Sequence, residues 1–241
     1  GFEALKLNTT GYDNTGIGCS ALTANTTGFR NTAVGKDAMI ANTTSAHNVA
    51  FGYQALYTNT TSNYNTAIGE KTLYTNNGSS NTAVGRMSLY TNSTGANNTA
   101  VGLNALFANT TGIGNVAVGM YSLDANTTAN YNTALGYQSL SANTTGVGGV
   151  AVGYNALAAN TTANNNTAIG YESLDANTTG AENTAVGRGS LSANTTASNN
   201  TAIGHNALAV NTTGYQNVAV GNFALTSCVT HNQHVAVGYN A

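Results

Sequence analysis

Asn98-Thr99-Ala100-Val101-Gly102-Leu103-Asn104-Ala105-Leu106-Phe107-Ala108-Asn109-Thr110-Thr111-Gly112-Ile113-Gly114 is one copy of a sentence that the chain repeats along its length. The shared frame is N-T-A-V/I-G-x-x-A/S-L-x-A/T-N-T-T plus three variable residues. Its glycine recurs from Gly18, Gly35 and Gly52 through to Gly204, Gly221 and Gly238. Self-similarity at a fixed period of this length belongs to solenoids and repeat arrays, in which each copy buries its apolar residues only against its neighbours. One copy is shorter than the rest: Asn65 and Asn81 stand sixteen residues apart instead of seventeen, and the missing residue falls in Asn76-Asn77-Gly78-Ser79-Ser80. The part of the unit that tolerates deletion is therefore a turn. Gly1 falls at the glycine position and Ala241 in mid-copy, so residues 1–241 are expected to be one repetitive domain cut from a longer chain.

Within T-A-V-G, residues two apart share a face, so Thr32 and Val34, or Val116 and Val118, point one way and Ala33 and Gly35 the other. The leucines at Leu56, Leu73, Leu89, Leu106 and onward to Leu225 are interior candidates. Recurring β-branched residues and glycines argue against a helix, in which each glycine would cost about 1 kcal/mol. The reading is all-β: a parallel β-solenoid or β-roll with about one seventeen-residue repeat per coil and two short strands in each. Equivalent residues then stack ~4.8 Å apart in columns of Val/Ile, Leu, Ala, Asn and Thr. The glycine column either needs positive φ or admits another backbone closely. Each coil would hold one Val or Ile and one Leu, a thin core. The Ala, Gly and Ser face of the strands is where a second chain is expected to approach, in parallel register.

Six Lys plus Arg, eight Asp plus Glu and no Pro or Trp make an electrically quiet chain with a formal net charge of −2. No basic cluster offers a footprint for nucleic acid, and no apolar run approaches the roughly 20 residues of a membrane span. Nucleic acid and membrane are therefore not expected as partners of this section.

Asn115-Val116-Ala117-Val118-Gly119, Asn217-Val218-Ala219-Val220-Gly221 and His234-Val235-Ala236-Val237-Gly238 resemble the S-V-A-I-G type repeat of trimeric autotransporter adhesin heads. The full array also resembles repeats of bacterial and phage tail-fibre-like proteins. The adhesin resemblance implies a trimer of left-handed parallel β-rolls on a bacterial surface, although the unit here is longer around A-L-x-x-N-T-T. Taken together, the expectation is a non-enzymatic extracellular shaft or adhesin-like fibre on a cell or virion surface, without cofactors. Its partners would be further copies of itself and host-surface or matrix glycans; the alternatives are a glycan- or ice-binding solenoid and a phage tail-fibre segment.

A second column carries the acceptor pattern for N-glycosylation. Asn8, Asn25, Asn42, Asn59, Asn109, Asn126, Asn143, Asn160, Asn177, Asn194 and Asn211 open N-T-T and Asn92 opens N-S-T, with further matches at Asn77, Asn97, Asn165 and Asn199. The same asparagines could instead form a ladder of stacked amides. For ice, T-T offers one outward Thr column flanked by outward Asn, because adjacent residues of a strand face opposite ways.

Candidates for chemistry are few. Asp124 and Asp175 share a repeat position three coils apart, about 14 Å at strand spacing, too far for a glycosidase pair; Glu172 lies nearer Asp175. Cys19 and Cys228 stand about twelve coils apart and cannot pair within a straight rod. Cys228, His231 and His234 are the one cluster of soft ligands and so the candidate metal set. Tyr53, Tyr137, Tyr154, Tyr171 and Tyr239, each following a repeat glycine, are candidate contacts for sugars or neighbouring filaments.

Overall fold

A computed structural model describes residues 1–241 and contains no helix. Fourteen three-residue strands follow one another: β1 (Thr15–Ile17), β2 (Thr32–Val34), β3 (Val49–Phe51), β4 (Thr66–Ile68), β5 (Thr82–Val84), β6 (Thr99–Val101), β7 (Val116–Val118), β8 (Thr133–Leu135), β9 (Val150–Val152), β10 (Thr167–Ile169), β11 (Thr184–Val186), β12 (Thr201–Ile203), β13 (Val218–Val220) and β14 (Val235–Val237). The chain forms two compact units, residues 1–120 and 121–241. In the first, β1 to β7 pair in parallel with each successor; in the second, β8 to β14 do the same. Thr32 sits over Thr15 and Ala33 over Gly16, so each unit is a parallel β-solenoid of one repeat per coil. The short repeat keeps this order, since Thr66 still pairs with Thr82.

Only one strand forms per coil, where the sequence suggested two. The A-L segment does not extend because its leucine, replaced by Met39 in one coil, takes positive φ, between 50° and 55° in every coil from Leu5 to Leu225, and the residue two before it does likewise, as at Gln54 and Glu172. Such a conformation costs an L-residue roughly 1–2 kcal/mol. Coil-to-coil hydrogen bonds hold it in place: Leu22 N–H donates to Ala38 O at 3.0 Å and Asp37 N–H to Cys19 O at 2.9 Å. The backbone thus keeps a parallel ladder through this segment while curling tightly enough to close the coil.

The core is narrower than expected and differently filled. The strand's central alanine, the A-L pair and two asparagines point inward; Ala100, Ala105, Leu106 and Asn109 are fully buried. The Val/Ile residues at the third strand position, expected inside, face out, and Ile68, Ile169 and Ile203 are each 40% exposed. The Ala face assigned to a second chain is instead the one that fills the coil. Coil width decides this: with a backbone this tightly curled, Leu and Ala occupy the interior and leave no space for a second branched side chain.

At the recurring glycine both explanations hold. Its φ lies between 125° and 139° in every copy, and a Cβ on Gly102 would press against the carbonyl of Gly119 in the next coil.

Candidate functional surfaces

Buried amides organise the inside. In the N-T-T column, Nδ2 of Asn25 donates to Asn8 Oδ1 (2.6 Å) and to Gly28 O (3.1 Å), and the pattern repeats at Asn109, Asn160, Asn177, Asn194 and Asn211. The side chains of Asn25, Asn42, Asn59, Asn92, Asn109, Asn126, Asn143, Asn160, Asn177, Asn194 and Asn211 lie at 0–2% exposure, and Asn8 is half-buried. A second column opens each N-T-A-V-G block. Asn31 N–H donates to Asn14 Oδ1 at 3.0 Å, and Asn31 Nδ2 donates to Ser45 O at 2.7 Å. Two amide ladders therefore run inside each unit, satisfying backbone groups that a turn-rich coil would otherwise leave without partners. The further sequon asparagines Asn77, Asn97, Asn165 and Asn199 are exposed.

The paired threonines differ from one another. The first donates its hydroxyl to the next coil, as Thr26 Oγ1 does to Thr43 O (3.1 Å) and Thr161 Oγ1 to Thr178 O (3.2 Å). The second, as at Thr111, Thr145 and Thr179, is exposed. The expected outward Asn beside this column is absent, because that asparagine points into the coil where its amide finds partners.

The outer face of the strands is uniform in character within each unit. Of its first and third strand residues in the fourteen coils, nine are Thr and all others are Val, Ile, Leu or Phe. None is charged and none is an amide, in a chain where Asn is abundant on every other side. Sequence reasoning missed this face because alternation fixes which residues share a side but not which side is inside. The signal was present in the charge-free pairing of Thr with Val or Ile.

Aromatic residues stack by column. Tyr57, Tyr74, Tyr90 and Phe107 have ring centroids 4.9–5.2 Å apart with planes within 9° of parallel. In the second unit Tyr137, Tyr154 and Tyr171 stack at 5.4 and 5.1 Å, with Arg188 over the Tyr171 ring at 5.7 Å. Stacking occupies the ring faces that a sugar would use and leaves edges and hydroxyls outward. Burial pushes the Tyr74 phenol up, with Tyr57 and Tyr90 adding to it.

Asp124 and Asp175 share a column with Ser141 and Ala158 between them. Burial raises both carboxyl pKa values, and Glu172 adds to the shift at Asp175. Asp175 Oδ1 is buried without a hydrogen-bond partner. Cys228 is buried with Sγ directed at His231 O (3.8 Å), and the His231 and His234 rings meet edge-on at 5.6 Å. All three line a cavity of about 400 Å³ together with Leu225, Asn240 and Ala241. Their side chains do not converge as a ligand set, and no group of three His, Cys, Asp or Glu elsewhere does so. Cys19 and Cys228 are free thiols.

No protein-family model matches this chain, and no curated protein does.

Proposed function

We propose that the chain is a non-enzymatic structural segment of an extracellular fibre or adhesin-like assembly, on a cell or virion surface, whose copies associate in parallel through the outer face of their strands. The observation that carries this reading is that face: Thr or Val followed two residues later by Val, Ile, Leu or Phe on every coil, uncharged throughout, with Ile17 58% and Phe51 56% exposed. Apolar surface repeated over coil after coil is what marks an interaction site on an otherwise polar protein. Parallel register lets like columns meet like columns, and a trimer is the arrangement that the adhesin-head resemblance implies. The remaining surface supports the same reading. The buried asparagine ladders are structural, the ring faces from Tyr57 to Tyr90 and from Tyr137 to Tyr171 are taken up by one another, and the carboxylates stand apart.

The test is sedimentation equilibrium of the chain and of Val101→Lys and Val118→Lys. The wild-type chain is expected to sediment as an oligomer and the variants as folded monomers. A wild-type chain that stays monomeric at high concentration overturns the proposal.

A second reading is favoured by the same face. Thr, Val and Ile at strand spacing in two regular columns form a charge-free lattice of methyl and hydroxyl groups, which suits an ice surface as well as a second copy. A monomeric chain that shapes growing ice crystals, with the effect lost in Val101→Lys, selects that reading.

A further inference from the structure

We infer that Asn77-Gly78 is a site of spontaneous chain modification, converting an amide to a carboxylate and, in part, rerouting the backbone through the side chain. It is the one Asn-Gly pair in the sequence, and it lies in the one coil that is a residue short. In the other coils the matching pair is Thr-Thr, Ser-Thr or Val-Thr, so no asparagine stands there and the second residue is branched. Gly78 has no side chain, and Asn77 is exposed.

Three contacts separate this coil from its neighbour. In the next coil Ser93, Thr94 and Gly95 all donate their N–H groups to Thr110 O, at 2.9, 3.0 and 3.3 Å. Here Asn77 N–H donates to Ser93 O at 2.9 Å, while Gly78 N–H, the nucleophile the reaction needs, has no acceptor. The Thr60 hydroxyl donates to Asn77 Oδ1 at 3.4 Å, which polarises the carbonyl to be attacked. The shortening also strands a buried donor. Asn65 Nδ2 has no partner, whereas Asn48 and Asn81 in the same column donate to the turn carbonyls of Ser62 and Gly95 at 2.9 Å. A buried unpaired amide costs about 1–3 kcal/mol, which weakens this turn although Asn76 Nδ2 still donates to Gly78 O at 2.8 Å.

The chemistry balances with water alone. Gly78 N attacks Asn77 Cγ and loses its proton; the new N–C bond closes a succinimide and the side-chain nitrogen leaves as ammonia. Water then opens the ring. Cleavage of the N–Cγ bond gives aspartate, and cleavage of the bond to the main-chain carbonyl gives isoaspartate, with the chain now running through Cβ and Cγ. The second product inserts a backbone atom into the coil that lacks a residue. Both place a negative charge at Asn77.

The experiment incubates the full chain in mildly alkaline buffer and digests it with trypsin, which releases Thr72–Arg86 between Lys71 and Arg86. That peptide is expected to split into asparagine, aspartate and isoaspartate forms. Conversion at Asn77 should exceed that at any N-T-T asparagine by about tenfold or more, the factor that ~1.4 kcal/mol of barrier supplies. The variant Asn77→Thr restores the ordinary residue type of the column and should abolish the acidic species seen on isoelectric focusing. A Cβ at Gly78 would press on Gly95 O, so Gly78→Ala is not the control of choice. Conversion of Asn77 only in urea, conversion no faster than at the N-T-T asparagines, or acidic species that persist in Asn77→Thr each overturn the proposal.

Discussion

Single residues in this chain are constrained by the coil above and the coil below as much as by their own neighbours. Gly102 and Gly114 make the contrast. At Gly102 φ is 132° and a Cβ would meet the next coil's backbone, so Gly102→Ala is expected to lower stability by about 1–3 kcal/mol or more. Gly114 has φ 66° at a position where Asn97 and Asn165 adopt 59° and 57°, so Gly114→Asn should change stability by less than ~1 kcal/mol. Urea unfolding of the two variants checks both values. Leu157, fully buried, should cost about 2–5 kcal/mol on truncation to Ala. The asparagines add a prediction about sugar. In an expression host that glycosylates N-x-S/T, occupancy should be confined to the half-buried Asn8 and the exposed Asn77, Asn97, Asn165 and Asn199, with none on the buried column from Asn25 to Asn211, because its Nδ2 atoms are already donating. Glycopeptide mapping decides it, and a glycan on folded Asn109 or Asn194 would contradict the buried ladder.

At the scale of the element, the strand was legible and the curl after it was not. Seventeen-residue periodicity, the T-A-V/I alternation and the deletable turn at Asn76–Ser80 together specify parallel coils in register, and β1 to β14 fall on those triplets. What the pattern could not convey is that Leu56 or Leu174 sits at a φ of 53°, a conformation ordinarily left to glycine or asparagine. That torsion is imposed by hydrogen bonds between coils, which no single repeat contains. It also turns Ala inward and Val outward, so the surface assigned to association moved to the opposite side of the same strand. The second unit carries its own pH signature for the same reason of placement. Asp124 and Asp175 have raised pKa values because burial disfavours their charged forms, so the folded unit holds protons that the unfolded chain has released. Between the unfolded carboxylate value of about 3.9 and the raised folded values, stability therefore falls as pH rises and grows as pH is lowered. The expected outcome is a midpoint of urea unfolding that increases on mild acidification, with the gain removed in the Asp124→Asn, Asp175→Asn double variant. An unchanged pH response in that variant would place the effect on other groups.

For the whole molecule the decisive quantity is how many coils act together. An exposed Val or Ile that buries its remaining surface contributes on the order of 1 kcal/mol, half of the ~1.5–3 kcal/mol for full burial. Bringing two chains together costs an estimated 4–15 kcal/mol in lost freedom and side-chain ordering. One coil cannot meet that cost, nor can two or three. A run of seven, as in each unit, can, provided every coil presents the same face in the same register. Association of this kind would be steep in the number of intact coils. It also couples assembly to stability, since a partner that binds only the folded chain raises the unfolding midpoint by mass action. The melting temperature of the wild-type chain should therefore climb with protein concentration. A single Lys at Val101 should flatten that climb, and Lys at both Val84 and Val118 should remove it while the circular dichroism spectrum of the folded chain persists. A melting temperature independent of concentration in the wild-type chain would mean that the Thr-x-Val face stays open to solvent.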